Sequence, residues 1–238
     1  MKLPLMKEGI LERRYKRFLA DIRLPDGTSI TAHTPNTGSM KQCAEPGLRV
    51  MFSHSDNLQR KYPHTLELIQ VEGSWVDINT QRSNRVVEEA LTCGILAGLE
   101  GYRITPEQRL GESRIDFRLD PEDKEHLKNK NRCSVWVEVK NVTYMGTSAC
   151  ACFPDAVTQR GQRHLQALRA ACARGERGVI LFLVQRAEAQ VFAPAADIDP
   201  DYAHILREVL RHGVEPLAYQ TETTPTQTRI VRRLPLIV

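Results

Sequence analysis

The eight residues Val135 to Val142, VWVEVKNV, constrain this chain more than any other stretch. Their β-branched and aromatic content marks a strand. Side chains along a strand alternate, so Val137 and Val139 share one face while Glu138 and Lys140 share the other. A carboxylate and an amine therefore stand side by side in a core-like segment. The fold must either solvate that pair or use it.

Around this strand the elements alternate. RVVEEALTCGILAGL follows Ser83 and Asn84, either of which can cap a helix, and it places Val87, Leu91 and Ile95 at spacing four. The pattern predicts a helix over 85–99. YRIT and SRIDFRL read as strands, the polar stretch at 120–131 as a loop or hairpin tip, and FPDAVTQRGQRHLQALRAACAR as a long helix with Val157, Leu165 and Leu168 as its apolar stripe. GVILFLVQ reads as an apolar central strand with EAQVFAP as its partner. PDYAHILREVLRHG is a helix, and the tail is β. That order predicts an α/β domain with a mixed sheet.

The first eighty residues read differently. FLADIRL alternates, with Phe18, Ala20, Ile22 and Leu24 on one side. Turn signals such as PDG separate it from TSITAHT, GLRVMFSHS, HTLELIQVEG and SWVDINT. Several short strands within about seventy residues fit a small barrel, and a five-stranded OB-type barrel fits the size. The expectation is a two-domain α+β/α/β chain, with an OB-like β-barrel over 1–82 and a mixed-sheet α/β domain over 83–238.

Composition excludes several classes. In 238 residues, 41% are hydrophobic and 26% charged, as in ordinary globular proteins. No apolar run approaches the roughly 20 residues of a membrane helix, and no signal peptide is read at the start. The six cysteines form no CxxC, so reduced thiols in a cytoplasmic protein are expected. A net charge of +4 permits a nucleic-acid partner without requiring one. There is no P-loop, GxGxxG or HExxH.

The chemistry centres on Asp116, Glu138 and Lys140. Asp116 lies on one strand and Glu138-x-Lys140 on the next, after a helix that carries acids. Two carboxylates on neighbouring strands can hold a hard cation such as Mg2+. A lysine on the same face can stabilise charge that develops on a phosphate. The alternative is an ion pair on a sheet. Arg114, two residues before Asp116, could grip a phosphate or pair with Asp116 or Glu138. Arg160 and His164 are helical neighbours four apart, on a face that could meet a nucleic acid or simply be solvated. Arg13, Arg14, Lys16 and Arg17 surround Tyr15, a pattern that suits phosphate contact with base stacking, or a charged strand edge. Asp155 heads the FPDAV segment and is expected to cap its helix.

Helix, strand with Asp, strand with ExK, helix, strand is an order that resembles the PD-(D/E)xK nuclease superfamily over about residues 84–220. RRYKRFLADI, HTPNTGSM, RKYPHTLEL, INT, GESRIDF, VEVKNVT, FPDAVTQRGQRHL and FLVQR together resemble the sugar fermentation stimulation protein family over nearly the whole chain. Cys152 stands where that family usually has a serine before FPDAVT. The resemblance implies an OB-type domain, a nuclease-like domain and DNA binding, with a role in regulating sugar-utilisation genes. Its EAL pattern points to Glu89, where periodicity alone leaves Glu88 and Glu89 open. The first expectation is a DNA-binding protein with a nuclease-like metal site; the alternative is an active Mg2+-dependent DNA endo- or exonuclease, with Asp116, Glu138, Lys140 and Glu89 as its catalytic set. Asp116 and Glu138 are the metal ligands, for Mg2+ or Mn2+. The expected DNA-binding set is Arg13, Arg14, Lys16, Arg17, Arg114, Arg160 and His164. DNA is the expected partner, single- or double-stranded, with no membrane. Homo-oligomerisation and association with the nucleoid stay open.

Overall fold

A computed structural model describes residues 1–121 and 133–238. The first unit contains β1 (Met6–Tyr15), β2 (Leu19–Arg23), β3 (Ser29–His33), β4 (Arg49–His54), β5 (His64–Val71) and β6 (Ser74–Asp77). Antiparallel pairs join β1 to β2, β2 to β3, β4 to β5 and β1 to β4, and a parallel pair joins β3 to β5. The order therefore closes as 1-2-3-5-4-1, an OB-type barrel, and closure removes the exposed strand edges. β6 extends the sheet beyond β5. Leu11, Ile22, Phe52, Leu66 and Ile69 fill the interior. Gly9 is needed here: a Cβ would come within 2.4 Å of Ile22 Cγ2 and 3.0 Å of the Arg23 carbonyl.

Two details differ from the sequence reading. β1 has no clear strand signature, because its charged residues hide the alternation carried by Gly9 and Leu11. Phe18 does not join Ala20 and Ile22 in the core. It sits in the turn after β1, where Lys16 and Arg17 adopt left-handed φ of 49° and 66°, and it is 41% exposed.

The second unit contains α1 (Thr80–Thr92), β7 (Tyr102–Leu110), β8 (Ser113–Pro121), β9 (Val135–Val142), β10 (Tyr144–Met145) and β11 (Cys150–Phe153). After these come α2 (Gln159–Cys172), β12 (Arg177–Val184), β13 (Val191–Pro194), α3 (Pro200–Arg211), β14 (Glu215–Thr223) and β15 (Thr228–Arg233). The main sheet runs β15-β14-β12-β9-β8-β7. Its central pairs, β9 with β12 and β12 with β14, are parallel, and the outer pairs are antiparallel. Central parallel strands need cover on both faces, which is why β12 is almost continuously apolar. On one face α1 lays Val86, Val87 and Leu91 over Val137, Val139 and Leu181. On the other, Leu165, Leu168, Leu206 and Val209 of α2 and α3 cover Ile180, Phe182 and Val184.

The helix limits shift from those expected. α1 starts at Thr80, because the Asn79 side chain accepts the Gln81 N–H at 3.1 Å. It ends at Thr92, so Ile95 lies past it and is half-exposed. α2 starts at Gln159 with Thr158 as its cap, after the short strand β11. Val157 therefore lies outside the helix, 68% exposed, while Leu165 and Leu168 are buried as expected. β13 pairs with β11 rather than with β12. Of the loop expected at 120–131, residues 120 and 121 belong to β8, and 122–131 lie outside the described residues.

The two units are joined by polar contacts. The Arg82 guanidinium on α1 lies between the buried carboxylates of Glu67 on β5 and Asp77 on β6, donating to Asp77 Oδ2 at 2.9 Å and pairing with Glu67 Oε2. Burial holds the Asp77 carboxyl at a pKa of about 6, against the pull of Arg82.

Candidate metal centre and nucleic-acid cleft

The β8–β9 ladder ends at the pair Phe117–Val137. Beyond it the strands part, and the Asp116 carboxylate enters the gap. Asp116 Oδ2 accepts the backbone N–H of Val139 at 2.8 Å, a donor left unpaired where the ladder stops. Asp116 Oδ1 accepts from Asn84 Nδ2 of α1, also at 2.8 Å. The carboxylate is thus fixed from two elements at once.

Glu138 and Lys140 share the face of β9 that α2 covers. The Lys140 ammonium donates to Glu138 Oε1 at 2.6 Å, and His164 Nδ1 is hydrogen-bonded to the same oxygen. Arg160 Nε donates to His164 Nε2 at 3.3 Å. A proton on Nδ1 satisfies both of these contacts. Glu138 Oε2 is buried and has no hydrogen-bond partner among the described residues.

The electrostatics separate the two acids. Burial and the neighbouring Glu138 charge raise the Asp116 pKa from 3.8 to about 6. Burial pushes Glu138 upward too, but the Lys140 ammonium and His164 outweigh it and leave the carboxyl below its ordinary value. Two carboxylates that share one cleft, of which one resists ionisation and the other keeps a buried oxygen without a partner, form a place that a cation would relieve. Among the described residues no three His, Cys, Asp or Glu side chains converge as a closed metal cage. An ion held here would have Asp116 and Glu138 as its two carboxylates, the number with which a hard ion such as Mg2+ is usually bound while it keeps its waters. The donor set fits the expected ion.

This centre forms the floor of a cleft of about 400 Å3. Thr80, Ser83 and Asn84 of α1 make one wall. Arg17, Asn36 and Gly38 of the barrel and the 153–158 segment make the other, with Arg160 exposed at the rim and His164 buried beneath it. Sequence reasoning missed Asn84 and Ser83 by reading them as caps. Their helical register was the available signal once the helix start was known.

The structure brings Asp116, Glu138, Lys140, His164, Arg160 and Arg17 together and places the other expected site residues elsewhere. Glu89 does not line the cleft. It is half-exposed and accepts from the Met1 amine at 2.9 Å. Five residues along a helix turn it about 140° away from Asn84, which does face the site. Arg14 is not presented to a nucleic acid. It is half-buried, and its guanidinium donates to the carbonyls of Arg17, Asn36, Gly38 and Ser39, so it shapes the barrel wall. Arg13 is exposed, pairs with Asp21 at 2.8 Å and lies over the Tyr15 ring. Lys16 and Arg17 project from the β1–β2 turn. Arg114 pairs with Glu107 at 2.5 Å rather than with Asp116 or Glu138. His164 is buried against Glu138 and is a centre residue rather than a surface contact. Asp155 caps no helix. Its Oδ2 accepts from Ser39 Oγ at 2.8 Å and from Met40 N at 3.0 Å, tying the 153–158 segment to the barrel.

Among the described residues no helix is long and apolar enough to cross a membrane. The family model described as SfsA N-terminal OB domain matches residues 13–78, and the model described as Sugar fermentation stimulation protein RE domain matches residues 81–227. The chain is 56% identical over 237 residues to the sugar fermentation stimulation protein homolog of Syntrophotalea carbinolica, covering 99% of each. It is 49% identical over 231 residues to the homolog of Geobacter sulfurreducens, covering 96% of this chain and 95% of the relative. Its fold is similar to that of Pyrococcus furiosus SfsA in complex with Ca2+, with a TM-score of 0.88 and 26% identity over 100% of this chain and 98% of that one.

Proposed function

The chain belongs to the sugar fermentation stimulation protein family, and from that premise we propose that it binds DNA and hydrolyses phosphodiester bonds in the cleft between its OB barrel and its nuclease-like domain. The observation that carries this reading is the buried, unpartnered Glu138 Oε2 beside Asp116. Asp116 and Glu138 would hold a divalent cation, Mg2+ or Mn2+. The P. furiosus relative was solved with Ca2+, another hard ion that seeks oxygen ligands. When bound, such an ion polarises a phosphoryl oxygen and acidifies a water.

The chain's own residues do the rest. Asn84 and the Val139 N–H hold Asp116 in one orientation. His164 and Lys140 hold Glu138 by one oxygen and leave the other directed to a ligand. Lys140 places an ammonium on the floor, where charge develops on the phosphoryl group. Arg17 and Arg160 at the rim supply guanidinium groups for the flanking phosphates. The test is to incubate the purified protein with plasmid and single-stranded DNA in Mg2+ or Mn2+. Cutting that vanishes in Asp116→Ala is expected, and equal cutting by that variant would sink the catalytic assignment.

A second reading keeps DNA binding and drops hydrolysis, with a regulatory role in sugar utilisation of the kind the relatives' names suggest. The engagement of Lys140 by Glu138 favours it. In that case salt-dependent DNA binding survives Glu138→Gln and no product forms with any divalent ion.

A further inference from the structure

Beside the cleft lies a hollow of about 300 Å3, lined by Glu112, Ser113, Arg114, Arg160, Arg163 and His164. We propose that it is a phosphate subsite in its own right: it seats a phosphate of the DNA strand next to the one at the metal centre, and Arg163 sets its affinity. The inference rests on the DNA-binding half of the reading above and adds residues which that reading does not use. Arg160 and His164 line the cleft as well, so the hollow adjoins it. The strand register agrees. Counted on from the last ladder pair, Phe117–Val137, it sets Asp116 level with Glu138 and Arg114 level with Lys140. The hollow therefore meets the metal centre on its Lys140 side.

The charge of this hollow is not balanced from within. On α2, Arg160, Arg163 and His164 are three and four residues apart and share one face. Arg160 donates from Nε to His164, a ring rather than a carboxylate. Arg163 is exposed and pairs with no carboxylate among the described residues. Arg114 pairs with Glu107, but the two side chains are 66% and 47% exposed, and a pair so solvated holds its arginine weakly. Glu112 is the one carboxylate that lines the hollow. Three guanidinium groups against one carboxylate leave a positive cup, and Ser113 adds a hydroxyl donor. Planar guanidinium forks match the oxygens of a phosphate.

The hollow is not the place of the reacting group. Neither Asp116 nor Glu138 lines it. His164 separates it from them, since its ring lines the hollow while Nδ1 is hydrogen-bonded to Glu138. A phosphate seated there is one removed from the metal centre, and it is held equally well before and during the reaction. Such a contact lowers KM without raising kcat. It also displaces counterions from the strand, which steepens the fall of affinity with salt.

The test follows the anisotropy of labelled DNA with full-length protein in Ca2+ over a range of salt, then steady-state cutting in Mn2+. Arg163→Ala is expected to keep the wild-type Tm, to weaken binding about tenfold and to lower the salt slope by about one phosphate contact, with KM raised and kcat unchanged. Arg163→Lys keeps the charge and loses the fork, so its slope should match the wild type while its affinity falls between the two. Arg207→Ala removes an exposed arginine of α3 and serves as the control. Two probes separate the sources of the phosphate. A closed single-stranded circle offers internal diesters alone, and a linear strand with a phosphorylated end adds a terminal monoester. A loss seen on the circle assigns the subsite to an internal diester, and a loss confined to the phosphorylated end assigns it to the monoester. Affinity and slope unchanged by Arg163→Ala on both probes would overturn the subsite and leave the metal-centre reading standing. A loss as large in Arg207→Ala would overturn it too, since any surface arginine would then serve. The expected loss in a protein that cuts nothing keeps the subsite and sinks hydrolysis, and a wild type that binds no DNA overturns both.

Discussion

Asp116→Asn is expected to stabilise the protein at pH 8 while removing one of its two candidate metal ligands. In the fold, burial and the Glu138 charge hold the Asp116 pKa at about 6 instead of 3.8. The folded state therefore favours the protonated carboxyl. That contribution is fully present below pH 3.8 and is lost as pH rises through about 6. Each tenfold change in acidity is worth about 1.4 kcal/mol, so the ionised carboxylate opposes folding by about 3 kcal/mol at pH 8. Asparagine has nearly the same shape and no charge. Its amide oxygen can still accept the Val139 N–H, and Asn84 can turn its own amide to accept from the new NH2 group. The shift already contains the hydrogen bonds from Val139 and Asn84, so a neutral residue that matches the protonated acid gains about 3 kcal/mol. For a chain of this size that is a rise in Tm of about 9 °C. The assay is thermal unfolding followed by circular dichroism in EDTA from pH 4 to 8. The variant should exceed the wild type at pH 8 and converge with it near pH 4. A variant less stable than the wild type at pH 8 would refute the claim that the floor carries an uncompensated carboxylate. Adding Ca2+ should raise the wild-type Tm and leave the variant unmoved, because an ion bound by the native state stabilises it by mass action.

Arg82→Ala leaves Glu67 and Asp77 buried without their cation. It should cost about 3–5 kcal/mol in urea unfolding at pH 8. The loss should shrink as pH falls below about 6, where Asp77 takes up a proton. Arg14→Ala should destabilise by about 1–3 kcal/mol, since the loop carbonyls it satisfies lose their donor. Arg17→Ala should leave Tm unchanged and lower the slope of DNA affinity against salt by about one phosphate contact. Lys140→Met should destabilise by about 3 kcal/mol because Glu138 keeps only His164, and adding Glu138→Gln should restore most of that loss in a double-mutant cycle.

The strand period of two was enough to pair Glu138 with Lys140, and the order of elements was enough to set Asp116 beside them. Both are local regularities that the sequence displays directly. What local rules could not supply was the phase of one element against another. Ser83 and Asn84 are good capping residues, so a helix start at 85 looked natural. The true cap is Asn79, which turns Asn84 into the site and Glu89 away from it. Arg13, Arg14 and Arg17 look alike in sequence. Only the position of the loop after β3 separates the half-buried clamp Arg14 from the exposed Arg17. An acid before a helical pattern usually caps it, and Asp155 stands in that place. Its actual partners, Ser39 and Met40, lie 116 and 115 residues away and belong to the other unit.

The central claim is that Asp116 and Glu138 form one divalent-cation site, and a calorimetric titration of the purified protein with Mn2+ tests it most directly. The wild type should bind Mn2+ at this site, and Glu138→Gln should weaken that binding by at least about tenfold, or 1.4 kcal/mol. Mn2+ affinity that is unchanged in Glu138→Gln, or no binding by the wild type, would contradict it.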